Sequence, residues 1–185
     1  MYRGSNPTAL QSQQWLTESL IALMEEKPFA QISVQELCRR ADLSRQTFYN
    51  FFSSKEEILH RYLQQQCEQQ FARYRNNDTL TVEQIVTVFS TILAQNERLL
   101  RCMLRSGLDG ILADEVAHSV ALFAGHFVSP CDPPGWLPYS EALLSGALAQ
   151  LIVFWFGQEQ PLPPQQLNAL LTEFFLGRLF GLRRG

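Results

Sequence analysis

Four side chains suited to contacting DNA bases or phosphates fall within one short segment, residues 45–50. They are Arg45, Gln46, Tyr49 and Asn50. Arginine can donate two hydrogen bonds to guanine, and glutamine or asparagine can pair with adenine in the major groove. Tyrosine can donate to a phosphate oxygen. Because Phe48 and Phe52 are spaced i, i+4, they would turn inward together and leave the four polar side chains on the outer face.

The segment before these residues supplies the elements that would hold them in place. Ser33 can cap a helix from Val34 to about Ala41, and Glu36 would complete a capping box with it. After a short break, Ser44 can cap a second helix from Arg45 to about Phe52. Two short helices joined by a tight turn predict a helix-turn-helix, with the second helix in the recognition position.

Lys55 lies at the expected start of the next helix, where its charge and the free backbone N–H groups could hold a phosphate. A solvated polar helix face has a similar composition, and charge alone does not exclude it. We predict a DNA-binding surface formed by Ser33, Gln35, Ser44, Arg45, Gln46, Thr47, Tyr49, Asn50 and Lys55.

The order of these residues resembles the TetR family of bacterial transcriptional regulators. Its signature is a capped helix, a turn, a T-[FY]-Y-x-[HY]-F recognition helix and a Lys-Glu helix start. The matching residues are Ile32, Ser33, Val34, Leu37, Ala41, Leu43, Ser44, Thr47, Phe48, Tyr49, Phe52, Lys55, Glu56 and Leu59. The motif covers about the first third of the chain. The resemblance implies an all-α fold of about nine helices, with an N-terminal three-helix DNA-binding head and a C-terminal helical ligand-binding and dimerisation bundle.

Two positions depart from the family pattern. Asp42 stands where the family usually has glycine, at a turn position that tends to be left-handed, and aspartate tolerates that conformation better than most residues. Phe51 stands where histidine or tyrosine is usual, which puts in question a phosphate contact often made there. Neither departure removes the motif.

Charge and composition favour a specific binder over a protein that coats nucleic acid. The net charge of the 185-residue chain is −3, with 46% hydrophobic and 18% charged residues, which is an ordinary globular composition. Between positions 39 and 61, five Lys and Arg residues stand against three acidic ones, a local excess of two. A modest local basic surface suits a dimer that binds a defined site.

Cysteine usage and the N-terminal sequence predict a cytoplasmic protein. Cys38, Cys67, Cys102 and Cys131 are far apart, with no C-x-x-C pair, so neither a metal site nor a disulfide framework is expected. The first residues are polar and lack the apolar core of a signal peptide. We expect no stretch to reach the roughly 18 apolar residues that span a bilayer. We expect no cofactor, no metal and no membrane partner.

The remaining sequence predicts two domains, residues 1–53 and 54–185, linked by a long helix from Lys55 to about Arg73. Breaks in the apolar pattern indicate further helices over 8–26, 81–95, 99–107, 108–128, 139–158 and 165–182, and an irregular loop over 129–138. The last two helices are apolar on more than one face, which indicates a homodimer interface built as a four-helix bundle. Its candidate residues are Leu144, Leu148, Leu151, Trp155, Leu171, Phe174 and Phe175.

A binding site for a small apolar effector would draw on apolar, aromatic and histidine side chains of the later helices. The candidate residues are Phe89, Met103, His118, Phe123, Phe127, Trp136 and Trp155. Aromatic residues at helical spacing also form ordinary cores, and this interpretation stays open for each of them.

The resemblance implies a sequence-specific transcriptional regulator, expected to be a repressor that acts as a homodimer on a palindromic double-stranded DNA operator. Binding of an effector would shift the long helix and separate the two recognition helices. No nucleophile and base constellation or phosphate loop is recognisable, so an enzyme is not expected. The alternative is a co-activator or adaptor of the same fold that acts mainly through a protein partner, for which Phe51 and the weak positive charge leave room.

Overall fold

The computed structural model describes residues 7–74, 80–123, 133 and 135–179. These residues form α-helices and two short 3-10 turns, and within the described ranges there are nine helices and no strand, as the all-α prediction requires. The helices are α1 (Pro7–Glu26), α2 (Val34–Arg40), α3 (Arg45–Phe51), α4 (Lys55–Phe71), α5 (Val82–Gln95), α6 (Glu97–Arg105), α7 (Asp109–Phe123), α8 (Leu137–Gly157) and α9 (Pro164–Phe175). The 3-10 turns are Phe29–Gln31 and Ala72–Tyr74.

The chain divides into two compact units, and the first combines Met1–Gln65 with Arg98–Glu115. It contains α1 to α3, the first part of α4, and most of α6. Its core is built from side chains with almost no exposed surface: Leu16, Leu20, Leu37, Phe48, Ile58, Leu59, Leu100 and Met103. Burying a side chain of this size contributes about 1.5–3 kcal/mol. The first unit is therefore held by a core of its own, to which α4 and α6 contribute together with α1, α2 and α3.

The turn between α2 and α3 is a Schellman motif with aspartate in the left-handed position. Asp42 has φ 53°, and it is the one non-glycine residue with positive φ in the described part of the chain. The Leu43 N–H donates to the Cys38 carbonyl at 2.9 Å, and the Asp42 N–H donates to the Arg39 carbonyl at 3.3 Å. These two bonds satisfy the last carbonyls of α2 and close the turn. The conformation predicted for Asp42 is confirmed.

The cap of α2 differs in part from the capping box expected at Ser33. The Ser33 Oγ accepts a hydrogen bond from the Glu36 N–H at 3.1 Å, as predicted. The Glu36 carboxylate, however, accepts a bond from Lys27 Nζ, which lies in the linker after α1. An oppositely charged partner draws the carboxylate away from the serine backbone, so Glu36 ties α2 to the end of α1.

The second compact unit combines Gln66–Glu97 with Val116–Gly185. Here α9 packs against α5, and both helices bury apolar side chains, among them Ile85 of α5 and Leu171 of α9. The start of α5 is a complete capping box, because Thr81 Oγ1 accepts from the Gln84 N–H and Gln84 Oε1 accepts from the Thr81 N–H. The helix start predicted at Thr81 is confirmed.

The last helix is shorter than the sequence predicted. We expected it to run to Leu182, but α9 ends at Phe175. Gly177 has φ 68°, and its N–H donates to the Phe174 carbonyl at 3.0 Å while the Arg178 N–H donates to the Glu173 carbonyl at 2.8 Å. Glycine adopts this left-handed conformation without strain, so it ends the helix in a second Schellman motif.

One helix corrects our expectation that no segment is long and apolar enough to span a bilayer. Within the described residues, α8 is long and apolar enough to cross a bilayer. Its most apolar 18-residue stretch has a mean hydropathy of 1.4, and only 22% of that stretch is buried. Such a helix alone is weak grounds for a membrane protein. It does show that α8 leaves much apolar surface uncovered by the rest of the chain.

Candidate nucleic-acid interface

Helix α3, the predicted recognition helix, is apolar on its inner side and polar on its outer side. Phe48 is completely buried and Phe52, the C-cap, is 3% exposed, with 6.0 Å between their ring centroids. Tyr49 is 50% exposed, and its ring meets the Phe48 ring edge-on at 5.0 Å. Arg45, Gln46 and Asn50 are exposed as well. The inward and outward faces are those predicted from the i, i+4 spacing of the phenylalanines.

The start of α3 is fixed by Ser44, which has extended backbone and is the N-cap residue. Its Oγ accepts a hydrogen bond from the Thr47 N–H at 2.9 Å and lies 2.8 Å from Thr47 Oγ1. A serine cap of this kind stabilises a helix by about 1 kcal/mol. The two predicted DNA-binding hydroxyls therefore also determine where the helix begins and which way its first turn points.

Two of the predicted base-reading side chains bond to each other. Gln46 Nε2 donates to Asn50 Oδ1 at 3.1 Å, across one turn of α3, and both side chains are exposed. Neither amide is saturated by this bond, since an amide group has two N–H donors and a carbonyl oxygen with two lone pairs. The pair keeps donors and an acceptor available on the outer face.

Lys55 opens α4 as predicted, but its ammonium group is already engaged within the head. Nζ donates to the Phe29 carbonyl at 2.6 Å and to the Ile32 carbonyl at 2.9 Å, and it lies 4.1 Å from the centre of the Phe29 ring. Burial lowers the pKa of Lys55, against an opposing effect of Glu56. The ammonium group has three donors, so one is left beyond the two carbonyl bonds.

The nine predicted DNA-binding residues all fall in the first compact unit, on α2, α3, their caps and the start of α4. Ser33 and Gln35 are exposed at the start of α2. Thr47 is half-buried beside Ser44. The sequence pattern thus brings these residues onto neighbouring elements, and their contact with DNA stays a prediction.

Sequence reasoning missed two features at this surface. Phe51 is 7% exposed and joins the core. The position that often contacts a phosphate in the family is therefore used here for packing. Glu57 accepts hydrogen bonds from the Ser53 N–H and the Ser53 Oγ, both at 2.6 Å, and from Arg61 Nη2 at 2.5 Å. The i, i+4 spacing of Glu57 and Arg61 was the available signal for this network.

The candidate effector residues belong to both compact units. Met103 is buried in the first unit, whereas Phe89 and Trp155 are half-buried in the second. His118 is exposed and Trp136 is 59% exposed, which leaves both in solvent. Phe127 lies outside the described residues, and so does the side chain of Phe123. An effector site formed by this set stays a prediction.

Two of the candidate dimer residues need a correction. Leu148 is 7% exposed and Leu171 is 1% exposed, so both pack inside their own protomer and leave little surface for a partner. The remaining candidates, Leu144, Leu151, Trp155, Phe174 and Phe175, are half-buried. Because α8 is apolar all round, its sequence does not distinguish the buried face from the exposed one.

The head matches a known family in sequence. Residues 16–62 match the family model of bacterial regulatory proteins, tetR family. Over 57 residues the chain is 39% identical to the HTH-type transcriptional regulator EthR of Mycolicibacterium smegmatis, which is 31% of this chain and 26% of that regulator. It is also 41% identical over 49 residues to the HTH-type dhaKLM operon transcriptional activator DhaS of Lactococcus lactis, covering 24% of this chain and 26% of DhaS. The matched segment thus spans about a quarter of these relatives.

Solved structures extend the similarity of fold to nearly the whole chain. Lin0861 from Listeria innocua superposes with a TM-score of 0.74 at 19% identity, covering 94% of both chains. A TetR transcriptional regulator from Streptococcus agalactiae gives a TM-score of 0.61 at 20% identity, covering 93% of this chain and 95% of that one. Residues 16–62 therefore carry the sequence of the TetR family of bacterial regulatory proteins, and the all-α fold around them is shared with these solved structures over nearly the whole chain.

Proposed function

We propose that this protein is a cytoplasmic, sequence-specific DNA-binding repressor that acts as a homodimer on a palindromic operator and is released by a small apolar effector. The observation that carries the proposal is the division of α3 into a buried phenylalanine face and an exposed face of arginine, glutamine, tyrosine and asparagine. A recognition helix in the major groove uses such side chains for base edges and phosphates.

The dimer is supported by a stripe of exposed side chains along α8. Tyr139, Leu143, Ala147 and Phe154 lie on one face of this helix, and they are exposed, Leu143 by 76% and Phe154 by 61%. The opposite face is buried in the protomer, with Leu148 and Ile152 among its residues. Uncovered apolar stripes of this kind mark interaction surfaces. A second copy, related by a two-fold axis, would cover the stripe with the same residues.

Two copies are also what DNA recognition requires. One short recognition helix contacts few base pairs, so affinity and specificity come from two helices reading half-sites about one helical turn, or a multiple of it, apart. Repression follows from occupancy alone, whereas activation needs a further surface that contacts other proteins. The matched relative DhaS is named a transcriptional activator, whereas repression requires no surface beyond those that bind DNA.

Release by an effector would act through α4, which begins at the head with Lys55 and runs into the second unit. An effector that favours one position of α4 changes the separation of the two recognition helices in the dimer. Nearly complete release requires the effector to favour the non-binding state by roughly 5 kcal/mol.

The test is selection from a library of random DNA duplexes by the purified protein, with light scattering of the same sample to measure its mass. We expect a dimer of about twice the chain mass that enriches a sequence with two-fold symmetry. A well-folded dimer that enriches no sequence even at low salt would favour the adaptor alternative. A protein that requires detergent to stay in solution would instead favour a membrane role for α8.

A further inference from the structure

We propose that Gln46 and Asn50 act as one coupled unit that selects adenine over guanine at a single base pair of each half-site. The inference rests on the proposed DNA-binding function and adds the base that this part of α3 reads. The observation that supports this inference is the hydrogen bond from Gln46 Nε2 to Asn50 Oδ1, 3.1 Å long, between two exposed side chains on the outer face of the helix.

The bond fixes the chemistry that the two amides present together. With one Gln46 N–H used as donor and Asn50 Oδ1 used as acceptor, the pair offers the Gln46 Oε1 acceptor and the Asn50 Nδ2 donors. Turning both amides by 180° reverses the bond and still leaves one acceptor on one residue and donors on the other. The pair therefore shows a mixed donor and acceptor edge in either arrangement.

That mixed edge fits adenine and opposes guanine. In the major groove adenine presents the N7 acceptor beside the N6 amino donor, so it accepts one hydrogen bond and donates another. Guanine presents two acceptors, N7 and O6, and an amide oxygen placed against them would be repelled. Arg45, which has only donors, is the residue of α3 suited to guanine.

Coupling distinguishes this unit from two independent readers. A single exposed amide can rotate and offer either its oxygen or its nitrogen, so it discriminates poorly until a neighbour holds it. Each residue here supplies the neighbour that orients the other. Removing either one should then abolish the same preference, and removing both should add little.

The other polar side chains at the start of α3 already have different roles. Ser44 Oγ and Thr47 Oγ1 are 2.8 Å apart, and Ser44 also caps the helix. These contacts hold in place the first turn of α3, to which Gln46 belongs. The amide pair is thus presented from a fixed helix start, and a rigid base gives its donors and acceptor a defined position.

The experiment compares wild type with Gln46→Ala, Asn50→Ala and the double variant. The operator is first selected from random duplexes with the wild-type protein. Affinity is then measured by fluorescence anisotropy on that operator and on variants with each base pair changed. Gln69→Ala on α4 is the matched control, because it removes an exposed amide outside α3. Circular dichroism melting checks that every variant is folded.

We expect the wild type to prefer adenine at one position of each half-site, by about 5- to 150-fold over guanine. Each single variant should lose that preference at the same position, the double variant should lose no more than about twofold beyond either single one, and Gln69→Ala should keep it. Preferences lost at two different positions, losses that multiply in the double variant, or an unchanged adenine preference would each overturn the coupled unit while leaving DNA binding intact. A wild-type protein that selects no sequence would overturn both this inference and the proposed function.

Discussion

Lys55 Nζ donates a hydrogen bond to the carbonyl oxygen of Phe29 across 2.6 Å, and this bond ties the start of α4 to the 3-10 turn after α1. A second bond to the Ile32 carbonyl strengthens the tie. Hydrogen bonds to a charged group contribute about 1.5–3 kcal/mol each before solvent exposure reduces them. Lys55→Met should therefore lower the free energy of unfolding by about 1–3 kcal/mol, measured by urea denaturation.

The same variant tests the predicted phosphate contact of Lys55. If the third N–H of the ammonium group holds a phosphate, the slope of log affinity against log salt should become shallower by about 0.9 for each copy of the chain. Arg98→Gln on α6, an exposed cation, should change neither slope nor stability appreciably. An unchanged slope for Lys55→Met, together with the loss of stability, would make this lysine purely structural.

Glu57 should give the head a stability that disappears in acid. Burial would raise its pKa, but the hydrogen bonds from Ser53 and Arg61 outweigh burial and hold the pKa of Glu57 below its ordinary value. A carboxylate with a lowered pKa stabilises the folded state above the ordinary glutamate pKa of about 4.3, and this contribution is lost as the pH falls through the folded pKa.

Glu57→Gln should accordingly destabilise the protein at pH 7 by about 1 kcal/mol, and the difference from wild type should shrink below about pH 4. Denaturation curves at pH 7 and at pH 3.5 provide the measurement, with Glu68→Gln, at an exposed position of α4, as the control. A difference that is the same at both pH values would contradict the role given to the carboxylate.

Because Asp42 has a left-handed backbone conformation, we expect its replacement by glycine and by alanine to have opposite effects on stability. Asp42 has φ 53°, which costs a residue with a side chain about 1–2 kcal/mol unless local hydrogen bonds offset it. Asp42→Gly should stabilise the head by about 0.5–1 kcal/mol, and Asp42→Ala should destabilise it. Thermal melting of the three proteins measures the order, and an alanine variant more stable than the glycine variant would show that backbone conformation is not the controlling factor.

The proposed dimer interface predicts that a charge on the exposed stripe of α8 separates the protomers. Leu143→Asp, at a position that is 76% exposed in the protomer, should leave the monomer folded but shift the mass measured by light scattering from dimer to monomer. Gln69→Asp on α4 places the same charge on another exposed surface and should leave the dimer intact. A Leu143→Asp protein that stays dimeric would remove this face of α8 from the interface.

Local patterns in the sequence predicted the head well because its structure is determined by short-range chemistry. Serine caps, phenylalanines at i, i+4 and an aspartate at the turn each act within one helical turn. The end of α9 and the buried face of α8 were harder to predict. Gly177 ends α9 through its backbone conformation even though apolar residues continue beyond it. Helix α8 carries apolar residues on every side, so only packing decides that Leu148 turns inward and Leu143 outward.

Hydroxyl-radical footprinting on the selected operator tests most directly whether two copies of α3 bind duplex DNA as a symmetric pair. The account predicts two equal protected regions related by a two-fold axis, with their centres about one helical turn or a multiple of it apart, and loss of protection in both when Arg45 and Tyr49 are replaced by alanine. A single protected region, or protection that survives this double replacement, would contradict it.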